Sequence, residues 1–375
     1  MRVIACNSSY GKGGIGQHFA QLVEESRARG RLGRYYAPGL KTGDEKGQRV
    51  EKRRWHDWLV QYTPVRFSPG WRSFLYNEFF DRQVARRLEP PLDRFMGFVG
   101  KSLRSFRRAR ELGANRLELV AANSHVRNLK RLHDRAHRQH GLHDSWLNAA
   151  QKRKTLREYE GADTIYVHSD YTRQSFLDAG IPEDKLERTH LWVDPRFQPP
   201  KQRPDDDTFR IAYVGRVEAT KGIPLLLDAF SQLQTTDKQL ILVGGWSTRR
   251  MRKHMEDWLT DDRIRMAPGD PRPVLHAADV FVHPTYEDGF GYAPMEALAC
   301  GVPVIVTEDT GMKEYVREPE NGHVVPTGRV DPIVNRLEHL RRHPCSATTS
   351  LLPPTYDEER TAPQADARTG EAANA

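Results

Sequence analysis

Two carboxylates flanking a glycine turn are the groups of this chain best placed to do chemistry. In Tyr286-Glu287-Asp288-Gly289-Phe290-Gly291-Tyr292-Ala293-Pro294-Met295-Glu296, Asp288 and Glu296 bracket a turn whose Gly289 and Gly291 let main-chain N–H groups approach a ligand. An apolar strand at residues 278–283 precedes the turn. Ala297-Leu298-Ala299, the Gly301 stop and the apolar residues 302–306 follow it. Strand, glycine loop, helix and strand in that order create a helix N-terminus, where the dipole favours an anion. Carboxylates for sugar hydroxyls around a phosphate-ready turn are what binding a sugar-nucleotide requires.

A second set lies upstream. Tyr213-Val214-Gly215-Arg216 ends a strand in a glycine and a guanidinium, and Lys221-Gly222 follows at a helix start. A planar fork beside a point charge suits a diphosphate, although an Arg after a strand is more often found in a surface ion pair. Gly11, Gly13 and Gly16 have the spacing of a dinucleotide-binding turn, but no acidic residue lies between Glu25 and Asp44 to hold a ribose. Close backbone approach across a cleft is therefore the expected use of this loop. His125 directly follows an apolar strand, so it either faces a cleft at the sheet's carboxyl edge or is a structural histidine. His133, His137, His140 and His143 fall in a basic segment. His133 and His137 are one helical turn apart but lack the glutamate of a zinc-protease motif, so no metal site is expected. No Ser-His-Asp or Cys-His order is legible, and Asp205-Asp206-Asp207 reads as solvated charge.

These groups need a scaffold, and 375 residues exceed one usual core, so two domains are expected. Strand-like segments at 3–6, 95–99, 117–121 and 164–168 alternate with helical ones at 15–29, 102–112, 126–140, 145–159 and 171–179. The pattern restarts with strands at 211–214, 239–243, 264–266, 280–283 and 304–306 and helices at 224–233 and 249–259. Residues 40–70 read as a polar, irregular insertion. Proline and polar residues at 195–207 mark a break between the two halves. The expected organisation is a first domain over 1–198, a linker over 199–208, a second domain over 209–345, and a tail over 346–375. That tail is too poor in large apolar residues to fold, and disorder is expected there.

Charged residues make up 29% of the chain, and no long apolar run or signal-like N-terminus appears, so a cytoplasmic protein without a membrane span is expected. Cys6, Cys300 and Cys345 match no disulfide or zinc spacing, which agrees with a reducing compartment. A net charge of +8 favours anionic partners. Much of the excess falls in residues 101–157, whose plain reading is solvated helix faces and whose functional reading is peripheral contact with an anionic membrane or an acidic glycan. No set of aromatics for base stacking accompanies it, so nucleic acid is not an expected partner.

Taken together, these motifs resemble glycosyltransferase family 4, retaining enzymes of GT-B architecture. The resemblance rests on Val214-Gly215-Arg216 with Lys221-Gly222, on residues 278–282, on Asp288-Gly289-Phe290-Gly291 through Glu296-Ala297-Leu298-Ala299, on Pro303-Val304-Ile305-Val306, and on Asn321-Gly322. In the first half it rests on Gly13-Gly14-Ile15-Gly16, His125, residues 162–169 and Val193-Asp194. It implies an α/β fold of two Rossmann-like, doubly wound domains facing a central cleft. It further implies transfer of a hexose from a UDP-, GDP- or ADP-sugar with retention, no cofactor and no metal, to a glycan, lipid or small-molecule acceptor. Carried over, Arg216 and Lys221 would hold the diphosphate, Glu296 the ribose, and Asp288 the donor sugar. The amides around Phe290, Gly291 and Tyr292 would support sugar and phosphate, with Gly215, Gly289, Gly14 and Gly16 allowing close approach. His125 would meet the donor sugar from the first domain, and residues 266–269 would border the base. Two departures stand out: Asp288 replaces the family's first glutamate with Glu287 beside it, and any closing helix must lie within 330–342. The competing readings are an epimerase or hydrolase on the same architecture, a catalytically weak sugar-nucleotide-binding protein, and a basic nucleic-acid binder.

Overall fold

The computed structural model describes residues 1–51, 54–142 and 145–345; His143 and the tail expected at 346–375 lie outside the described residues. The first half runs β1 (Arg2–Ala5), α1 (Gly13–Ala28), β2 (Leu32–Ala37), β3 (Gly47–Arg49), α2 (Arg54–Tyr62), α3 (Pro69–Arg87), β4 (Arg94–Phe98), α4 (Leu103–Glu111), β5 (Arg116–Val120), α5 (Val126–Gln139), α6 (Ala149–Gly161), β6 (Thr164–Val167), α7 (Asp170–Leu177) and β7 (Leu186–Arg188). Its strands form one parallel sheet in the order β3-β2-β1-β4-β5-β6-β7. The second half runs β8 (Phe209–Val214), α8 (Ile223–Gln232), β9 (Lys238–Val243), α9 (Arg249–His254), β10 (Ile264–Ala267), α10 (Arg272–Ala277), β11 (Val280–His283), α11 (Tyr292–Ala299), β12 (Val304–Thr307), β13 (Gly322–Val325) and α12 (Asp331–Arg342). Its six strands are also parallel, in the order β10-β9-β8-β11-β12-β13.

Strand order reverses between β1 and β4 in one sheet and between β8 and β11 in the other. Val3 pairs with Phe95 in the first, and Ile211 with Val280 in the second. At such a switch point the following helices go to opposite faces, opening a crevice at the carboxyl ends of the strands. Both sheets are covered on both faces, which explains why the strands are continuous apolar runs rather than alternating ones.

Three expectations need correction. Residues 40–70 are not irregular: they hold β3, α2 and a short 3₁₀ turn at Pro64–Phe67. Trp58 and Tyr62 of α2 are exposed, at 59% and 68%, so the helix does not show the apolar stripe that periodicity detects. The helix expected over 249–259 stops at His254 and resumes as a 3₁₀ turn at Trp258–Thr260. The helix expected from 145 begins at Ala149, where the Asn148 side chain caps it by accepting from the Gln151 N–H. The closing helix α12 lies within 330–342 and packs on the second sheet's core through Ile333 and Leu337.

Much of the basic stretch is helix surface. Arg108 pairs with Glu111, Arg110 with Asp163 and Lys130 with Asp134, all solvent-facing. Lys154 differs: its ammonium is buried between Asp81 (2.9 Å) and Glu78 (2.5 Å). Asp81 also accepts from the N–H groups of Arg104 and Ser105 at the start of α4. Removing one partner of a buried pair leaves the other charge uncompensated. Asp81→Ala is therefore expected to cost about 3 kcal/mol or more, seen as a lower denaturant midpoint at unchanged m-value.

Candidate active site

β8 ends in Gly215, whose N–H bonds the Val243 carbonyl at φ 148, and chain direction then turns toward Arg216. The Arg216 side chain is 59% exposed, and among the described residues its ion pair is to Glu218 at 3.2 Å. Such an exposed pair is worth little, so the guanidinium is free to turn to a ligand. Lys221 ends a 3₁₀ turn, and Gly222 behind it adopts φ 71, packed so closely on the Pro284 carbonyl that no side chain fits. That packing fixes Lys221 beside the β11 loop. There its ammonium lies 2.7 Å from Asp288 Oδ2.

Asp288 is held on three sides. Its N–H bonds the Asp309 carbonyl, its own carbonyl accepts from the Gly311 N–H, and Oδ2 lies 3.2 Å from His283 Nε2. Burial pushes the carboxyl up, but Lys221 and His283 outweigh it and hold it well below the usual carboxylate range. Burial also depresses His283, so its neutral ring serves as an N–H donor to Asp288. Glu287 points elsewhere. It accepts from the Ser124 N–H at 2.7 Å and the Asn123 amide at 2.9 Å, both in the first domain. Burial and the Asp288 charge raise it to about 7.

Gly291 enters α11 at φ 98, and the opening N–H groups of that helix have no intrahelical acceptor. One turn inward, the Glu296 carboxyl is buried, raised to about 7 by desolvation, and 3.5 Å from the Gln17 amide of α1. The Tyr292 hydroxyl donates to the Gln21 side chain at 3.1 Å, and its ring lies against Gly14. α1 and α11 therefore face each other across a cleft of about 1260 Å³.

Gly14, Gly215, Arg216, Lys221, Asp288, Phe290, Gly291, Tyr292 and Glu296 all line this cleft. Three expected residues do not. Gly16 is buried under the loop, where a side chain would collide with the Ser9 carbonyl. Gly289 is one of the points where the domains touch: its carbonyl accepts from Ser169 (2.6 Å) and Thr172 (2.8 Å). His125 does not meet the cleft either. Its ring packs on Tyr159 and Phe176, 5.0 and 5.2 Å between centroids, and its Nδ1 caps α5 by accepting from the Arg127 N–H. Of the two readings open for it, the structural one matches this placement. Of the expected base border, Gly269 lines the cleft, joined by Asp270, Pro271 and Arg272, whereas Met266 does not. Among the described residues no group of three His, Cys, Asp or Glu side chains could hold a metal ion. Sequence reasoning missed His283, Asn123 and Gln17. The signal for His283 was present, a polar residue ending an apolar strand five positions before Asp288. For the other two there was none, because their contacts cross between domains.

Residues 194–347 match the family described as Glycosyl transferases group 1. A putative colanic acid biosynthesis glycosyltransferase, WcaL, of Escherichia coli (strain K12) is 28% identical over 194 residues, 48% of this chain and 48% of that protein. The chain matches about half the length, or less, of the first curated relatives. Sucrose-phosphate synthase (tll1590) from Thermosynechococcus elongatus superposes with a TM-score of 0.70 at 19% identity, covering 92% of this chain and 90% of the other. Anabaena Alr3699/HepE in complex with UDP and glucose gives 0.61 at 16% identity, over 92% and 90%. The fold is GT-B. Within this GT-B frame the matched family segment contains every second-domain residue of the cleft described above.

Glu296 and Glu287 both titrate near neutrality, which yields a pH prediction. A ligand that donates hydroxyls to Glu296 would favour its ionised form, so binding of such a ligand should strengthen as pH rises through 7. Nucleotide-sugar affinity measured by calorimetry is expected to fall about tenfold between pH 8 and pH 6, and Glu296→Gln to flatten most of that dependence.

Proposed function

We propose that this protein is a retaining, metal-independent glycosyltransferase of family 4 that moves a hexose from a nucleoside-diphosphate sugar to an acceptor. The observation that carries this reading is the convergence of Arg216, the Lys221–Asp288 pair and the start of α11 on one cleft wall. Breaking the bond between sugar and diphosphate builds negative charge on the leaving group. A guanidinium, an ammonium and helix-terminal amides already in place stabilise that charge more in the transition state than in the ground state. Glu296 accepts the ribose hydroxyls, and the loop at 269–272 meets the base. Asp288 orients Lys221 and lies at the sugar end, while Glu287 holds the first domain shut through Asn123 and Ser124. Closure of that kind excludes water from the donor. No side chain in the cleft stands out as a nucleophile for a covalent intermediate, so attack and departure on the same face is the proposed route. The UDP bound in the HepE structure supports a nucleotide donor for this fold. The site is proposed to act from the cytoplasm; among the described residues no helix is long and apolar enough to cross a membrane.

Slow donor hydrolysis tests the stereochemistry without a known acceptor. Proton NMR in the first minutes after mixing should show the released sugar with the donor's own anomeric configuration. Release of the opposite anomer would rule out retention.

A further inference from the structure

The charges of the two cleft walls are unlike each other. On the second-domain wall each acidic side chain has a partner: Glu218 with Arg216, Asp270 with Arg272, Asp288 with Lys221, Glu287 with Ser124, and Glu296 with Gln17. Among the described residues that line the first-domain wall there is no Asp or Glu at all. Of the Lys and Arg side chains on that wall, Arg196 pairs with Asp194, whereas Lys12, Arg72 and Lys101 have no ion-pair partner among the described residues. Asp57, on α2, is engaged by the Tyr76 hydroxyl at 3.2 Å and does not line the cleft.

These cations come from three elements that one chain of hydrogen bonds fastens together. Asn7, in the β1 loop that leads to Lys12, donates to Asn77 of α3 at 3.0 Å. Asn77 donates to Gln151 of α6 at 3.4 Å, and Gln151 donates to the Gly100 carbonyl at 3.1 Å, next to Lys101. Arg72 lies on α3 one turn before Tyr76 and Asn77. A side chain at Gly100 would collide with Gln151, so the loop that places Lys101 is set by packing. Cations on three elements tied to one polar floor, on a cleft wall that carries no carboxylate among the described residues, favour an anion from outside. Three cations exceed what a single carboxylate neutralises and match a phosphate, which carries nearly two negative charges.

We propose that Lys12, Arg72 and Lys101 form an acceptor subsite for a phosphate group, so that the acceptor of this enzyme is a phosphorylated one. The proposal rests on the glycosyltransferase reading, which makes the second wall the donor side. The phosphate belongs either to a free sugar or polyol phosphate or to a lipid headgroup. Trp58, Tyr62, Phe67 and Trp71 are exposed on the stretch that leads into Arg72, where a bilayer surface could meet the rim of the cleft.

The test begins with titration of uridine, guanosine and adenosine diphosphates into the full chain. Binding of none of them counts against the donor reading alone. With the tightest of them saturating, glucose 6-phosphate, glucuronate and glucose are titrated by calorimetry. In parallel, the protein is sedimented with phosphatidylcholine vesicles with and without phosphatidylinositol. Glucose 6-phosphate is expected to bind at least tenfold tighter than glucose or glucuronate if the source is soluble. Selective capture by the phosphatidylinositol vesicles is expected if the source is a lipid. Arg72→Ala and Lys101→Ala should each weaken the positive arm about tenfold while leaving nucleotide affinity unchanged, and Lys101→Arg should restore it. The proposal is overturned if neither arm shows phosphate-selective binding, if glucuronate matches the phosphate, or if Arg72→Ala and Lys101→Ala leave binding unmoved.

Discussion

Lys221→Ala is expected to lower donor turnover, measured as kcat/KM for a nucleotide-sugar, by about a thousandfold. The ammonium does two jobs. It lines the cleft, where the proposed mechanism gathers charge on the leaving diphosphate, and it neutralises Asp288 at 2.7 Å. Without it, among the described residues, the Asp288 carboxylate keeps only the neutral His283 ring as a partner, and a carboxylate with no cation beside it then faces the incoming phosphates. Repulsion adds to the lost attraction. The double variant Lys221→Ala/Asp288→Asn separates the two effects: it should recover part of the donor affinity while kcat stays low. Full recovery of kcat in the double variant would show that Lys221 acts only as a partner for Asp288.

Gly289→Ala is expected to reduce kcat/KM about a hundredfold while both sheets keep their circular dichroism. A methyl group there would lie 2.7 Å from Asn123 Cα and still closer to the Ala122 carbonyl, both backbone atoms of the opposite domain. Neither side can yield by rotating a side chain, so the domains must part. Parting removes the Ser169 and Thr172 bonds to the Gly289 carbonyl and stretches the Glu287 contacts to Asn123 and Ser124. A misplacement of about 1 Å between reacting groups costs on the order of a hundredfold in rate. Small-angle scattering should show a larger radius of gyration than wild type. Unchanged kinetics would mean that the domain contact at Gly289 plays no part in assembling the site.

The second domain was legible because its chemistry is local in sequence. Asp288, Gly291 and Glu296 belong to one strand-turn-helix unit, and Gly215, Arg216 and Lys221 belong to another, so the spacing of residue types already carried the geometry. Both sheets were legible as alternating apolar segments, although β2, β3, β7 and β13 escaped notice among more polar neighbours. The first domain was harder. α2 hid because Trp58 and Tyr62 point to water, and α6 concealed a buried Lys154 and Glu158 inside what looked like a solvated face. Burial pushes Glu158 up to about 7, and it caps α4 by accepting from the N–H groups of Gly100, Ser102 and Leu103. Position after a strand left two readings of His125 open. Its neighbours Asn123 and Ser124 line the cleft, and the turn into α5 carries His125 into the aromatic cluster instead. Contacts between domains, such as Gln17 with Glu296, have no sequence signature because the partners are remote in the chain and joined only by the final packing.

The most direct test is calorimetric titration of the uridine, guanosine and adenosine diphosphates into wild type and into Arg216→Ala and Glu296→Ala. The account predicts that one base binds clearly to wild type. It also predicts that each substitution weakens that binding by at least tenfold, because the proposed site puts Arg216 on the diphosphate and Glu296 on the ribose. Binding of no nucleotide to wild type, or equal binding to all three proteins, would contradict it.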